Sequence, residues 1–286
     1  MSKQEAQIIL TLSCPDRMGI VAAVSSFLAG CGCDIVESAQ FGDRPSRTFF
    51  LRISFLSTQG AEITDLERAF EPVAAEFKMN ASFHDSRAKT RTLIMVSKFG
   101  HCLNDLLYRH QIGALPLEIP AVVSNHPDMG PIVGAHGITY RHMPVTPDTK
   151  AQQEAALLAL IESEKIEVVV LARYMQVLSP EVCKRLGGRV INIHHSFLPS
   201  FKGARPYHQA YERGVKLIGA TAHYVTDQLD EGPIIEQSVE RVHHALSPDD
   251  YVAVGRDIES LVLARAVKWH AERRIVVHGK RTVVFS

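Results

Sequence analysis

At 286 residues, with 46% apolar and 22% charged side chains, the chain holds one large domain or two ordinary ones around a real apolar core. Lysine plus arginine and aspartate plus glutamate balance at 31 each, and this excludes the long-range pull toward nucleic acid or an anionic membrane that a basic chain would show. No apolar run is long enough to span a bilayer. The opening stretch, MSKQEAQIILTLSCPDR, alternates apolar with polar residues and lacks a small-residue cleavage site, so it reads as a first strand and not as a signal peptide. The five cysteines (Cys14, Cys31, Cys33, Cys102, Cys183) form no CxxC pair. Neither a disulfide framework nor a structural zinc site is expected, and reduced thiols point to the cytoplasm.

In chain order, Ile8, Leu10, Leu12 and Cys14 alternate along a half-buried strand. A turn over 16–19 follows, then Ile20, Val21, Val24, Phe27 and Leu28 share a helix face that ends at Gly30 and Gly32. Strands are expected over 34–41 and 48–55, with Phe49, Leu51, Ile53 and Phe55 on one side. Leu66, Ala69, Phe70, Val73 and Phe77 mark a second helix, and 80–84 a last short strand. The order βαββαβ is that of a small ferredoxin-like α+β sandwich.

The segment DRMGIVAAVSSFLAGCGCDI resembles the ACT domain over residues about 5–85. The resemblance implies a small amino-acid effector bound at the strand–helix turn, with Asp16 and Gly19 as effector-binding residues, and pairing of ACT sheets into a homo-oligomer. Taken as residues alone, Asp16 and Gly19 also suit an ordinary turn and helix cap.

The polar stretch DSRAKTR carries no periodicity and is read as the linker. The expected division is 1–86 for the first domain, 87–91 for the linker and 92–286 for the second. In the second part, continuous apolar runs at 92–97, 119–124, 168–172 and 190–193 are separated by helix-length segments. That alternation indicates a Rossmann-like, mostly parallel sheet covered on both faces. A helix is expected over 149–164 with Ala155, Leu158 and Ile161 facing inward, and another through Ile258, Leu261, Val262 and Trp269. The tail RIVVHGKRTVVF reads as a hairpin turning at His278-Gly279.

Ligands of open α/β sheets bind beyond the carboxyl ends of the strands. One such end carries Asn192 and His194, which share a strand face and would be costly to bury unpaired. They either shape the following loop, His195-Ser196-Phe197-Leu198-Pro199, or form a site. Downstream, a strand enters a loop dense in acids and closes on Gly232-Pro233; Asp227, Asp230 and Glu231 all stand where one could orient a histidine. Spacing does not choose among them. His194-His195 invites a metal, but HExxH is absent and no third ligand stands at metal spacing, so no metal is expected. His243-His244 reads as surface, and Lys202, Arg205 and His208 as residues that gate the pocket or anchor a loop.

NIHHSFLPSFKG and HYVTDQLDEGPII, at their separation here, resemble the folate-dependent formyltransferase superfamily over residues about 91–285. The resemblance implies a catalytic trio of Asn192, His194 and Asp230. It also implies a folate pocket in the loop 171–179, with Leu171, Arg173, Tyr174, Met175, Gln176 and Val177 as substrate-binding residues and His223 beside them. Some relatives carry an arginine where this chain has Gln176. Attack on a formyl carbon makes a tetrahedral oxyanion; a carboxamide N–H and a protonated imidazole are suitable donors to it, each contributing about 2.7–4 kcal/mol. A proton must leave the attacking group and reach the folate nitrogen, which needs an acid/base. Asp230 is suited to hold the attacking water and to pair with His194.

The first βα loop addresses the acceptor. SKFGHCLNDLL has a single glycine flanked by Phe99 and His101, a poor cradle for a phosphate. KFGHCLNDLLYR and HHSFLPSFKGARPYHQAYERGVKLIGATAHYVTDQLDEGPI are similar to the formyltetrahydrofolate deformylases, which also carry an ACT domain in front. That similarity implies hydrolysis of 10-formyltetrahydrofolate to tetrahydrofolate and formate, with no cofactor required beyond the folate substrate. The formate would supply purine synthesis and balance one-carbon pools. The alternative is a formyltransferase with an amine acceptor such as glycinamide ribonucleotide; a folate-binding regulator without catalysis is a third reading.

Overall fold

A computed structural model describes residues 6–58, 60–200 and 205–286. The chain divides into two compact units. The first runs to Ala88 and includes Glu272–Val276 and Val283–Ser286; the second comprises Lys89–Ala271 and Val277–Thr282. The expected second domain extended to residue 286, whereas these tail residues cluster with the first unit.

In the first unit, β1 (Ala6–Pro15), α1 (Ile20–Gly30), β2 (Cys33–Asp43), β3 (Thr48–Ser57), α2 (Ile63–Phe77) and β4 (Asn80–Asp85) follow the βαββαβ order. The strands form an antiparallel sheet in the order β2-β3-β1-β4. Alternation puts Ile8, Leu10, Leu12, Leu51, Ile53 and Phe55 on one face. They pack on Ile20, Val24 and Leu28 of α1 and on Leu66, Phe70 and Phe77 of α2. Each such side chain taken out of water stabilises the unit by about 1.5–3 kcal/mol. The opposite face of β3 is buried as well, at Phe50, Arg52 and Ser54. Arg52 is held there from two sides: its Nη1 pairs with Glu37 at 2.8 Å and its Nη2 donates to the carbonyl of Glu272, near the C-terminus, at 3.1 Å. Arg274 donates to Glu37 at 3.1 Å and to the Phe285 carbonyl at 2.9 Å. Asp16 and Gly19 lie exposed in the β1–α1 turn, where Gly19 adopts φ 91°.

The second unit contains β5 (Thr90–Val96), α3 (His101–Gln111), β6 (Leu117–Ser124), α4 (Gly130–Ala135), β7 (Thr139–His142), α5 (Lys150–Ser163), β8 (Val168–Leu171), α6 (Pro180–Arg185), β9 (Val190–His194), α7 (Pro206–Glu212), β10 (Leu217–Tyr224), β11 (Ile234–Arg241) and α8 (Pro248–Ala271). Its seven-stranded sheet has the order β11-β10-β9-β8-β5-β6-β7. β5 to β9 pair in parallel, while β10 and β11 are antiparallel additions. The chain begins in mid-sheet at β5, builds outward through β6 and β7, then returns to the other side of β5 with β8. Strand order therefore reverses between β5 and β8, and open α/β sheets bind ligands near such a point, beyond the strands' carboxyl ends.

Three details differ from expectation. α4 and β7 were not anticipated; β7 is short, polar and largely exposed, so it lacks the apolar pattern of the central strands. In α5 the buried face is Leu157, Leu158 and Ile161, with Ala155 exposed. The tail hairpin, β12 (Ile275–His278) and β13 (Arg281–Val284), turns at Gly279-Lys280, one residue later than expected. No helix among the described residues is long and apolar enough to cross a membrane.

Candidate active site

At the carboxyl ends of β8 and β9 lies a cavity of about 310 Å³. Asn192, His194 and Asp230 line it together with Leu171, Arg173, Tyr174, Met175, Gln176, Val177 and His223. Every catalytic and substrate-binding residue expected from the sequence thus faces one space. Arg205 and His208 do not line this cavity, and Lys202 lies outside the described residues. His243 and His244 are exposed.

β9 carries Asn192 and His194 on alternate positions, and β10 runs antiparallel beside it with His223 opposite Asn192. His223 Nδ1 stands 2.9 Å from the Tyr224 carbonyl, so that nitrogen carries the hydrogen and donates. Its Nε2 is then an acceptor, and the Asn192 amide donates to it at 3.2 Å. This bond settles which way the carboxamide points. One N–H is spent on His223, and the other, which meets no partner among the described residues, can serve as a donor in the cleft. Burial holds His223 below the ordinary histidine range, against the opposing effects of the Tyr224 carbonyl and Asp230. Asp230 Oδ1 is 3.8 Å from His223 Nε2, and with a neutral ring that approach is dipolar rather than ionic.

Asp230 reaches the site through a tight loop. Gly232 packs so closely under β10 that a Cβ there would sit 1.7 Å from the Tyr224 carbonyl oxygen, and Asp230 itself adopts φ 57°. Aspartate is among the few side chains that tolerate this left-handed region. The result is a carboxylate 3.3 Å from His194 Nδ1. Burial pushes the Asp230 carboxyl up, but the bond from His194 and the nearby imidazoles hold it below the usual carboxylate range. The opposite ring nitrogen, His194 Nε2, is buried and meets no hydrogen-bond partner among the described residues. A carboxylate-oriented imidazole with its far nitrogen unsatisfied is arranged to engage a ligand atom.

The loop after β8 is held by the loop after β5. Ser97 N donates to the Arg173 carbonyl at 3.2 Å, Met175 N donates to Ser97 Oγ at 2.9 Å, and Ser97 Oγ donates to Asn125 Oδ1 at 2.7 Å. These bonds fix the backbone of 173–175, the segment expected to meet a pterin.

Sequence reasoning missed the cluster behind this wall. Glu259, on α8, is 1% exposed. Its carboxylate accepts from Tyr207 Oη at 2.8 Å, pairs with His101 Nε2 at 2.8 Å and stands 3.2 Å from Arg173 Nε. Burial pushes the Glu259 carboxyl up, yet His101 and Arg173 hold it below its ordinary value. His195, also on the cavity wall, is driven down to about 3 by burial and by the Arg173 charge. His101, Cys102 and Glu259 bring donor atoms within 4.8 Å of one another. Burial pushes the Cys102 thiol up, and Glu259 is already committed to Arg173, so the set is poorly suited to a cation.

Comparison with known proteins agrees with this architecture. The family described as ACT domain matches residues 6–84, and the family described as Formyl transferase matches 90–267. A formyltetrahydrofolate deformylase from Corynebacterium sp. (strain P-1) is 52% identical over 98% of this chain and 99% of that protein. The crystal structure of a formyltetrahydrofolate deformylase from Burkholderia mallei superposes with a TM-score of 0.93 at 56% identity, covering 98% of this chain and 100% of that one. A glycinamide ribonucleotide transformylase from Symbiobacterium toebii is more distant, with a TM-score of 0.66 at 28% identity over 71% of this chain and 97% of its own. An ACT unit followed by a formyltransferase unit, matched along nearly the whole length, means that the chain belongs to the formyltetrahydrofolate deformylase family.

Proposed function

We propose that the chain hydrolyses 10-formyltetrahydrofolate to tetrahydrofolate and formate, with Asn192, His194 and Asp230 as the catalytic residues. The observation that carries this reading is the convergence on one cavity of a carboxamide oriented by His223 and an imidazole oriented by Asp230. In the reaction, water adds to the formyl carbon, and the free Asn192 N–H with His194 Nε2 stabilises the oxyanion. Asp230 holds the water and the imidazole. The carbon–nitrogen bond then breaks, and the folate nitrogen takes a proton. No cofactor enters these steps. The pterin binds along the backbone of 171–177, and Tyr174, whose hydroxyl burial pushes up to about 12, stays neutral throughout.

Water is favoured over a phosphorylated amine by what stands at the start of α3. His101 there is turned to the buried carboxylate of Glu259. A histidine committed to that carboxylate is not available to a phosphate arriving at the helix start. The transformylase likeness, at 28% identity, is correspondingly weaker than the deformylase one.

The test is release of formate from 10-formyltetrahydrofolate with no acceptor, repeated with glycinamide ribonucleotide present. Formate release unaffected by the ribonucleotide is the expected result. Formyl transfer with no acceptor-free release would overturn the hydrolytic reading.

The first unit, in this reading, takes a small amino acid at the β1–α1 turn near Asp16 and Gly19 and pairs with a second copy through its sheet. The five free thiols suit a reducing, cytoplasmic setting. A change of rate with one amino acid, abolished by Asp16→Ala, is expected; unchanged kinetics across all proteinogenic amino acids would count against the effector.

A further inference from the structure

Arg173 follows β8 directly and lines the same cavity as Asn192, His194 and Asp230. Its side chain is 10% exposed. Its backbone holds φ 64°, a left-handed conformation that disfavours residues bearing a Cβ, so the surrounding structure must impose it. The bond from Ser97 N to its carbonyl is part of that imposition.

The guanidinium is only partly answered. Glu259 Oε2 lies 3.2 Å from Nε, but the same carboxylate also serves His101 and Tyr207. Neither Nε nor Nη1 of Arg173 makes a hydrogen bond among the described residues. His194 Nε2, on the same cavity, is unpartnered too. At the neighbouring His195 the field of Arg173 outweighs the opposing field of Glu259. A buried guanidinium with unmet donors calls for an anion at some stage of the cycle.

Hydrolysis makes such an anion and transfer to an amine does not. When water oxygen has bonded to the formyl carbon and the carbon–nitrogen bond has broken, the folate nitrogen carries one proton of the water. The fragment left behind is formic acid, whose O–H proton passes to solvent to leave formate, a carboxylate. Formyl transfer to an amine leaves a neutral amide instead.

We propose that Arg173 is the formate-binding residue of the cleft, taking a carboxylate oxygen of the product on donors that Glu259 leaves unmet. This rests on the hydrolytic reading above. Arginine suits the task because its charge does not titrate and its fork matches a carboxylate.

The test uses the full-length protein, with sodium formate as product inhibitor in the presence of tetrahydrofolate and sodium chloride as the ionic control. In Arg173→Gln the inhibition constant for formate is expected to rise about 10- to 100-fold, the range for losing a hydrogen bond between charged partners. Because Arg173 belongs to the folate-lining loop, KM for 10-formyltetrahydrofolate is measured alongside; the formate constant should rise by a larger factor than KM, and Arg173→Lys should fall between. A formate inhibition constant unchanged in Arg173→Gln, or one that rises only in step with KM, would overturn the assignment.

A second measurement needs no variant. Formate plus tetrahydrofolate should raise the thermal midpoint of the wild-type protein above the chloride control, and no such rise would also overturn the assignment. The two readings fail separately. Absence of formate release in the acceptor-free assay defeats the hydrolase, whereas release with no formate binding defeats only Arg173.

Discussion

Asn192 and His223 are register partners across the antiparallel β9–β10 pair, and their side chains meet at 3.2 Å. The histidine acts through the amide: it takes one N–H and so aims the other. His223→Phe keeps the ring volume and removes the acceptor. With the amide free to rotate, kcat should fall about tenfold or more, the cost of one misplaced donor. KM should change little, because the loop 171–177 is untouched. Steady-state kinetics decide the point, and a variant whose kcat matches wild type would reduce His223 to a core residue.

Asp230→Asn removes the charge at His194 Nδ1 while keeping the shape of the loop. A positioned acid/base is worth about 10²–10⁴-fold, and a loss of kcat in that range is expected. Folate binding, followed by fluorescence titration, should survive. Normal binding with wild-type hydrolysis would take Asp230 out of the chemistry.

How much of this could be read in advance varies with the kind of residue. Asn192 and His194 were legible because two polar side chains at the end of an apolar strand are conspicuous, and strand periodicity puts them on one face. Asp230 was legible only through resemblance, since Asp227 and Glu231 offer the same chemistry within a few residues; its left-handed backbone and the close packing of Gly232 set it apart in three dimensions. Glu259 was not legible. On a long helix, in the run Arg256-Asp257-Ile258-Glu259-Ser260, it looks like one more solvated charge, and its partners His101 and Arg173 are far away in sequence. The ACT-like order of the first unit followed from alternation and helix period. The burial of Arg52 did not, because the residues that cover it come from the other end of the chain.

Burial keeps His195 and His223 neutral in the folded chain, His195 down to about 3. Unfolded, both titrate near about 6.5. Below that pH the unfolded state binds protons that the folded state refuses, so the stability is complete above about pH 6.5 and declines as pH falls. The slope is at most about 1.4 kcal/mol per pH unit for each histidine. Asp230 and Glu259 behave differently: burial raises them, the bond from His194 on the one and His101 with Arg173 on the other lower them further, and their contribution is lost only below about pH 4. Thermal midpoints should therefore fall between about pH 6.5 and 4 before the carboxylates titrate, and His195→Gln should flatten that decline. An equally steep profile in His195→Gln would mean that the His195 ring charges in the folded state.

Gly255 of α8 faces the Tyr207 ring so closely that a Cβ would lie 2.2 Å from Cζ. Gly255→Ala must displace Tyr207, whose hydroxyl is bonded to Glu259 at 2.8 Å. Three effects compete. Alanine improves helix propensity by about 1 kcal/mol. Overpacking typically costs about 1–3 kcal/mol, and a lost hydrogen bond to a charged acceptor costs about 1.5–3 kcal/mol. The last two win, leaving a net loss on the order of 2 kcal/mol, or a midpoint lowered by about 4–8 °C for a unit of this size. Tyr207→Phe, which removes only the hydroxyl, separates the hydrogen bond from the clash and should destabilise less. Because Glu259 would then lean more heavily on His101 and Arg173, both variants should also weaken formate inhibition. A Gly255→Ala protein as stable as wild type would show that α8 and α7 yield at this contact, and that the Tyr207–Glu259 bond is not held in place by the missing Cβ.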